Sequence, residues 1–191
     1  MKYFRDVDLP VFQGLIEELK SMKLNWFQPS NPLSAQQICL NAPVGYTDDI
    51  GFGAGYFADF ETFIRHTAEG DVKIPLKPSS IYEWRLCDAF KGTMFEEVYN
   101  TLHTSIKPGR IRLMKSKPRT CMNWHKDPIP RIHYPLQTGI GCFMIIEDET
   151  HHLAANKWCF TETGKGKHTA VNASDIDRIH LVVDVLPLIS T

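Results

Sequence analysis

The chain has 191 residues, 43% of them apolar and 23% charged, which excludes a disordered protein and allows a sizeable core without disulfides or structural metal. Twenty-one Lys and Arg against 22 Asp and Glu leave a formal net charge of −1, so no basic footprint for nucleic acid or an anionic membrane is present. The five cysteines (39, 87, 121, 142 and 159) contain no C-x-x-C pair, which argues against a zinc ribbon and predicts reduced thiols.

The N-terminal MKYFRDVDLP lacks the apolar segment of a signal peptide, and no apolar run approaches the roughly 20 residues that span a bilayer. A cytoplasmic protein without a membrane partner is the expectation. Asp8 as cap, Pro10 in the first turn and the spacing of Val11, Leu15, Ile16, Leu19 and Met22 predict a helix over 8–22. Residues 26–80 read as irregular, with Pro29, Pro32 and Pro43, then Gly51-Phe52-Gly53-Ala54-Gly55-Tyr56, then Pro75 and Pro78. Those glycines lack phosphate-loop spacing and read as turns between short strands, in a segment expected to supply lid or specificity loops. A second helix is predicted over about 82–103, with Cys87, Phe90, Met94, Val98 and Leu102 on one stripe.

After Pro108-Gly109 the pattern changes to short β-branched and aromatic runs at 111–114, 131–134, 141–146, 157–160, 168–171 and 179–185, separated by turn residues. Many short strands so punctuated predict an antiparallel sandwich or barrel. The expected layout is a single domain, 1–191. Within it, 1–108 is a helical and irregular buttress and lid region, and 109–191 is the β core.

Chemistry concentrates in that core, because six of the eight histidines fall within 125–180. In an extended strand, residues i and i+2 share a face, so His125 and Asp127 of His125-Lys126-Asp127 can reach one ion. His168 lies 43 residues on and Arg178 follows it by 10. Two imidazoles and one carboxylate leave open positions on a metal, the facial set of non-haem Fe(II) oxygenases. An arginine fork suits the far carboxylate of a keto-acid cosubstrate. His180 is the competing third ligand, since it shares a strand face with Arg178. His168 is preferred because two positions along one strand span only ~7 Å, too short for a bound diacid.

These residues resemble the aspartyl/asparaginyl β-hydroxylase-like branch of the Fe(II)/2-oxoglutarate-dependent oxygenases, which includes small free-proline hydroxylases. The resemblance covers about 110–188. It rests on Trp124-His125-Lys126-Asp127, on Arg131-Ile132-His133-Tyr134-Pro135-Leu136, and on His168 followed by Arg178 in DRIHLVVDV. It implies a mainly β fold, a double-stranded β-helix (jelly-roll, cupin-like) core with N-terminal helices packed against it. It implies His125, Asp127 and His168 as iron ligands and Arg178 as the anchor of the distal 2-oxoglutarate carboxylate. Arg131 and His133 match positions that hold substrate or cosubstrate carboxylates. Animal members have glycine where Asp127 stands, and a serine where this chain has Met114.

The resulting expectation is a dioxygenase that hydroxylates a C–H bond of an amino acid, free or in a peptide. It would use Fe(II), 2-oxoglutarate and O₂, with ascorbate as reductant, on a substrate bearing a carboxylate. Two alternatives stand beside it. One is a cupin-like metalloenzyme using His125, His168 and His180 without a keto acid, and the other is a non-catalytic β-sandwich. His151 and His152 read as solvated. Trp124, Tyr134 and Trp158 read as core or rim packing, Cys121 and Cys142 as buried thiols, and a surface pair with Asp175 or Asp177 is the plain alternative for Arg178.

Overall fold

The computed structural model describes residues 1–29, 34–54 and 83–186, together with the backbone of 62–67 and 70–75. Strands form where β-branched and aromatic residues recur between turn residues: β1 (Phe4–Asp6), β2 (Gln36–Cys39), β3 (Asn41–Pro43), β4 (Thr62–Thr67), β5 (Gly70–Pro75) and β6 (Trp84–Leu86) in the first half. The second half carries β7 (Pro108–Ser116), β8 (Thr120–Cys121), β9 (Arg131–Gln137), β10 (Cys142–Ile146), β11 (Glu149–His151), β12 (Cys159–Thr161), β13 (His168–Asn172) and β14 (Arg178–Val185). A six-stranded sheet has the order β1-β12-β9-β14-β7-β2, and a four-stranded sheet the order β11-β10-β13-β8. Every pairing in both is antiparallel. From β7 to β14 the chain alternates between the sheets except at the β10–β11 hairpin, which stays in the smaller one, and this makes the core a double-stranded β-helix.

The larger sheet has two unlike faces. Ile111 and Leu113 of β7, Ile132, Tyr134 and Leu136 of β9, and Ile179, Leu181 and Val183 of β14 are buried in one apolar cluster. That cluster includes Leu15 and Leu19 of α1 (Leu15–Met22) and Phe95, Val98 and Leu102 of α2 (Met94–Ser105). Each such side chain contributes about 1.5–3 kcal/mol when fully buried, so the outer face holds the helices on the sheet. The residues between them alternate to the other face and point into the β-helix.

Both helices start later than the periodicity predicts. Gly14, at φ 85°, adopts a left-handed conformation that opens α1 at Leu15 rather than at Asp8. Residues 8–13 run as a strap across the sheet, where the Trp158 indole donates to Pro10 O (2.8 Å) and Phe12 N donates to the Tyr134 hydroxyl (3.0 Å). In the second case Trp84–Leu86 is strand, Asp88–Phe90 is a 3-10 turn, Gly92 sits at φ 74°, and extended Thr93 caps α2 by accepting from Phe95 N (3.2 Å). The stripe had run through all three because Cys87, Phe90 and Val98 are buried in the same core from different elements.

In the first half, described strands interrupt the segment read as irregular. β2 pairs with β7 and β1 with β12, so N-terminal residues edge the six-stranded sheet on both sides. Asn41 fastens β3 beneath it, donating to Gly109 O (2.8 Å) and accepting from Ile111 N (2.7 Å). Gly51 to Ala54 form turns as predicted, while Gly55, Tyr56 and Pro78 lie outside the described residues, as does much of the expected lid segment. No helix among the described residues is long and apolar enough to cross a membrane.

Candidate metal centre and its cavity

The segment after β8 lacks regular structure except for one antiparallel bridge between His125 and His168. His125 N donates to His168 O (3.0 Å) and His168 N to His125 O (2.7 Å). Residues directly opposed in such a bridge project to the same side, which brings the two imidazole centroids to 4.2 Å. Asp127 follows two residues on, in a loop rather than the strand predicted. It is held there because its backbone N–H donates to Thr163 O (3.2 Å) while the Thr163 hydroxyl donates to Ile129 O (3.0 Å).

The outcome is a cluster of His125, Asp127 and His168 whose ligating atoms lie within 4.8 Å of one another. Asp127 Oδ1 is 3.8 Å from His125 Nε2, and its Oδ2 is 3.2 Å from His168 Nε2. His180, the rival third ligand, is not in this group. His125 Nδ1 donates to Asn123 O (2.8 Å), an orientation that turns Nε2 toward the cluster. Burial, against the opposing Asn123 bond, holds the His125 pKa below the ordinary histidine value, which keeps the ring neutral and able to ligate. Burial would raise Asp127, but the Arg131 guanidinium and the His168 contact outweigh it and hold the carboxyl below the usual carboxylate range. Two imidazoles and an ionised carboxylate, with His168 Nδ1 buried and without a partner among the described residues, fit a divalent transition metal.

The cavity beside this cluster runs between the two sheets. His125, His168, Arg131, Arg178, His180, His133 and Ser116 all line it. Arg178 is 7% exposed. Among the described residues no carboxylate pairs with it, and burial lowers its pKa to about 10. The surface alternative is not realised: Asp175 pairs with Arg119 instead (2.7 Å). His133 and His180 are buried with both ring nitrogens unpartnered among the described residues, and desolvation followed by the nearby Arg178 charge pushes both well below the ordinary histidine pKa.

Arg131 departs from its expected use. The resemblance assigns its guanidinium to a substrate or cosubstrate carboxylate, but Nη1 lies 2.6 Å from Asp127 Oδ2 and Nε 3.1 Å from Asp184 Oδ1. Two protein carboxylates occupy those donors because β9 and β14 pair Arg131 directly opposite Asp184. Cys142 is buried as expected, whereas Cys121 is exposed. Trp124 is 54% exposed and belongs to the rim; Tyr134 and Trp158 are core. His152 is exposed as expected, with Nδ1 bonded to Cys142 O (2.8 Å), whereas His151 is half-buried with its ring 5.1 Å from that of Phe4.

Sequence reasoning missed Ser116, Arg110, Arg112 and Asp184. Ser116 pairs directly with Arg178 across β7 and β14 and lines the cavity, so a hydroxyl does stand beside the arginine, two residues beyond Met114. The signal was the alternation itself: polar residues at 110, 112 and 116, and at 178, 180 and 184, interleaved with apolar ones.

A family model described as aspartyl/asparaginyl beta-hydroxylase matches residues 84–187, just over half of the chain. No curated protein matches the sequence. Among solved structures, a cupin domain from Bordetella pertussis Tohama I is 16% identical, with 42% of this chain and 84% of that one covered and a TM-score of 0.37. A predicted oxalate decarboxylase from Thermotoga maritima is 18% identical, covering 69% of this chain and 97% of that one, TM-score 0.37. A Cupin 2 conserved barrel domain protein from Salinispora arenicola is 16% identical, covering 39% and 60%, TM-score 0.34.

Proposed function

The chain belongs to the aspartyl/asparaginyl β-hydroxylase family, and from that premise we propose that it is an Fe(II)- and 2-oxoglutarate-dependent oxygenase that hydroxylates a C–H bond of a carboxylate-bearing amino acid or peptide. One observation carries the cosubstrate: Arg178 is a buried guanidinium, unpaired among the described residues, in the cavity that His125 and His168 of the metal cluster also line. An uncompensated buried charge is costly, so a fold that keeps one is built for an anion. Arg178 binds the distal carboxylate bidentately, and Ser116 opposite it donates a second bond. Neutral His133 and His180 supply ring N–H groups along the diacid without adding charge.

His125, Asp127 and His168 would hold the metal. With 2-oxoglutarate and O₂, iron supplies the oxidising power for C–H hydroxylation, yielding succinate and CO₂. The β-helix walls orient the diacid and keep water from the reacting end. Exposed Trp124 and Lys126 flank His125 at the rim, where a substrate carboxylate meets a cation now that Arg131 is engaged elsewhere.

The test uses purified protein under anaerobic conditions with Fe(II) and 2-oxoglutarate. Binding of the keto acid should require Arg178, and admitting air with ascorbate should release succinate slowly even without substrate. Metal binding that is indifferent to 2-oxoglutarate would turn the reading to a cupin-like metalloenzyme without a keto acid.

A further inference from the structure

Four charged side chains continue from Asp127 into the interior, and none belongs to the metal cluster. Arg131 bridges Asp127 Oδ2 (Nη1, 2.6 Å) and Asp184 Oδ1 (Nε, 3.1 Å). Asp184 also receives Arg110 Nε at 3.2 Å and faces Arg112 Nη2 at 3.6 Å. Arg110 is tied further to Gly53 O (2.7 Å) and Arg112 to Gln37 Oε1 (2.9 Å). Arg110, Arg112, Asp127 and Asp184 are buried and Arg131 nearly so.

The ladder sets Asp184 opposite Arg131, between rigid central strands, whereas Asp127 sits on a loop with no sheet to orient its carboxylate. A loop carboxylate can turn about its own torsions, so a partner outside the loop is needed to fix Oδ1 on the His125 side (3.8 Å) and Oδ2 on the His168 side (3.2 Å). We propose that Asp184 is a positioning residue for the metal centre: anchored by Arg110 and Arg112, it holds the Arg131 fork so that Arg131 occupies Asp127 Oδ2 and leaves Oδ1 for the cation. This rests on the reading of His125, Asp127 and His168 as a metal site. It also accounts for Arg131, which this chain uses to support a ligand.

The inference separates orientation from charge. A lysine at 131 keeps the cation but cannot bridge two carboxylates from one planar fork. Removing Asp184 leaves three guanidiniums without their shared anion, and removing Arg112 as well restores the charge balance without restoring the acceptor for Arg131 Nε.

Mn(II) affinity, followed by the loss of the free-ion electron paramagnetic resonance signal, and the visible absorption of the Co(II)-loaded protein are the readouts. Asp184→Asn should weaken Mn(II) binding about 10- to 100-fold and alter the Co(II) bands, as changes to groups behind a ligand generally do. Arg131→Lys should reproduce the loss, and Asp184→Asn with Arg112→Gln should stay as weak as Asp184→Asn alone. Wild-type affinity and an unchanged Co(II) spectrum in Asp184→Asn overturn the proposal. Recovery in the double variant also overturns it, making Asp184 a charge balance. If Asp184→Asn does not fold, Arg131→Lys decides, and wild-type affinity there overturns it. If the wild-type protein takes up neither metal, the metal-site reading itself fails and this inference with it.

Discussion

The two faces of the six-stranded sheet are made by the same strands and have opposite characters. On the outer face, Ile111, Leu113, Ile179, Leu181 and Val183 meet the helices in a dry core. On the inner face the intervening positions of the same strands hold Arg110, Arg112, Ser116, Arg178, His180 and Asp184, several with unpartnered polar atoms. The difference teaches that stability and function are divided by one-residue alternation. The outer face supplies the burial that lets the inner face keep unsatisfied groups, which a sheet with a single core could not hold.

That division can be broken first at Arg178. Arg178→Met removes a buried charge that no described carboxylate pairs, so the apo protein should melt no lower than wild type. 2-Oxoglutarate affinity should fall by about 2–5 kcal/mol, the usual cost of truncating one partner of a buried charge pair. Calorimetric titration and a thermal melt of one sample test both halves, and a destabilised variant that still binds the diacid would erase the distinction. Leu181→Ala, three residues along the strand and fully buried, should do the opposite. About 2–5 kcal/mol of stability should be lost by denaturant titration, while the surviving folded protein keeps its 2-oxoglutarate affinity.

The inner face should also make the apo protein acid-sensitive. His133 and His180 stay neutral in the fold, whereas in the unfolded chain they protonate near the ordinary value of about 6.5. Below that pH the unfolded state binds more protons, so the contribution of neutral burial is present at pH 7 and lost as pH falls. The slope is at most about 1.4 kcal/mol per pH unit for each histidine. His125, also shifted downward, acts in the same direction. Urea melts between pH 7.5 and 5.5 should show this slope, and His180→Leu should flatten it by one proton; an unchanged slope would mean that His180 titrates normally in the fold. The smallest effect is expected at Ser116→Ala, where loss of one hydrogen bond to the diacid should weaken binding by about 0.5–1.5 kcal/mol without changing stability.

Much of this was legible before any coordinates. The strand runs after residue 108, the H-x-D, the distal His168 and Arg178 all lie where local pattern and spacing point, because alternation and ligand chemistry are short-range properties of the chain. The helix starts are not legible in the sequence, since Gly14 and Gly92 take left-handed conformations that no hydrophobic period reports. The strand expected to carry His125 and Asp127 is a loop with a single bridge, because the rest of that segment is pinned by the β12–β13 connection rather than by a neighbouring strand.

By itself the sequence determined the element types, the apolar stripes and the inventory of metal-ligating and anion-binding side chains, for these follow from residue chemistry and a period of two or 3.6. Tertiary structure alone decided which of them meet. Pairing β9 to β14 placed Arg131 against Asp184, pairing β7 to β14 placed Ser116 against Arg178, and one bridge between residues 43 positions apart set His168, not His180, beside His125. Register between distant strands follows from the packing of the whole sheet, so a partner in space is not written at any one position of the chain.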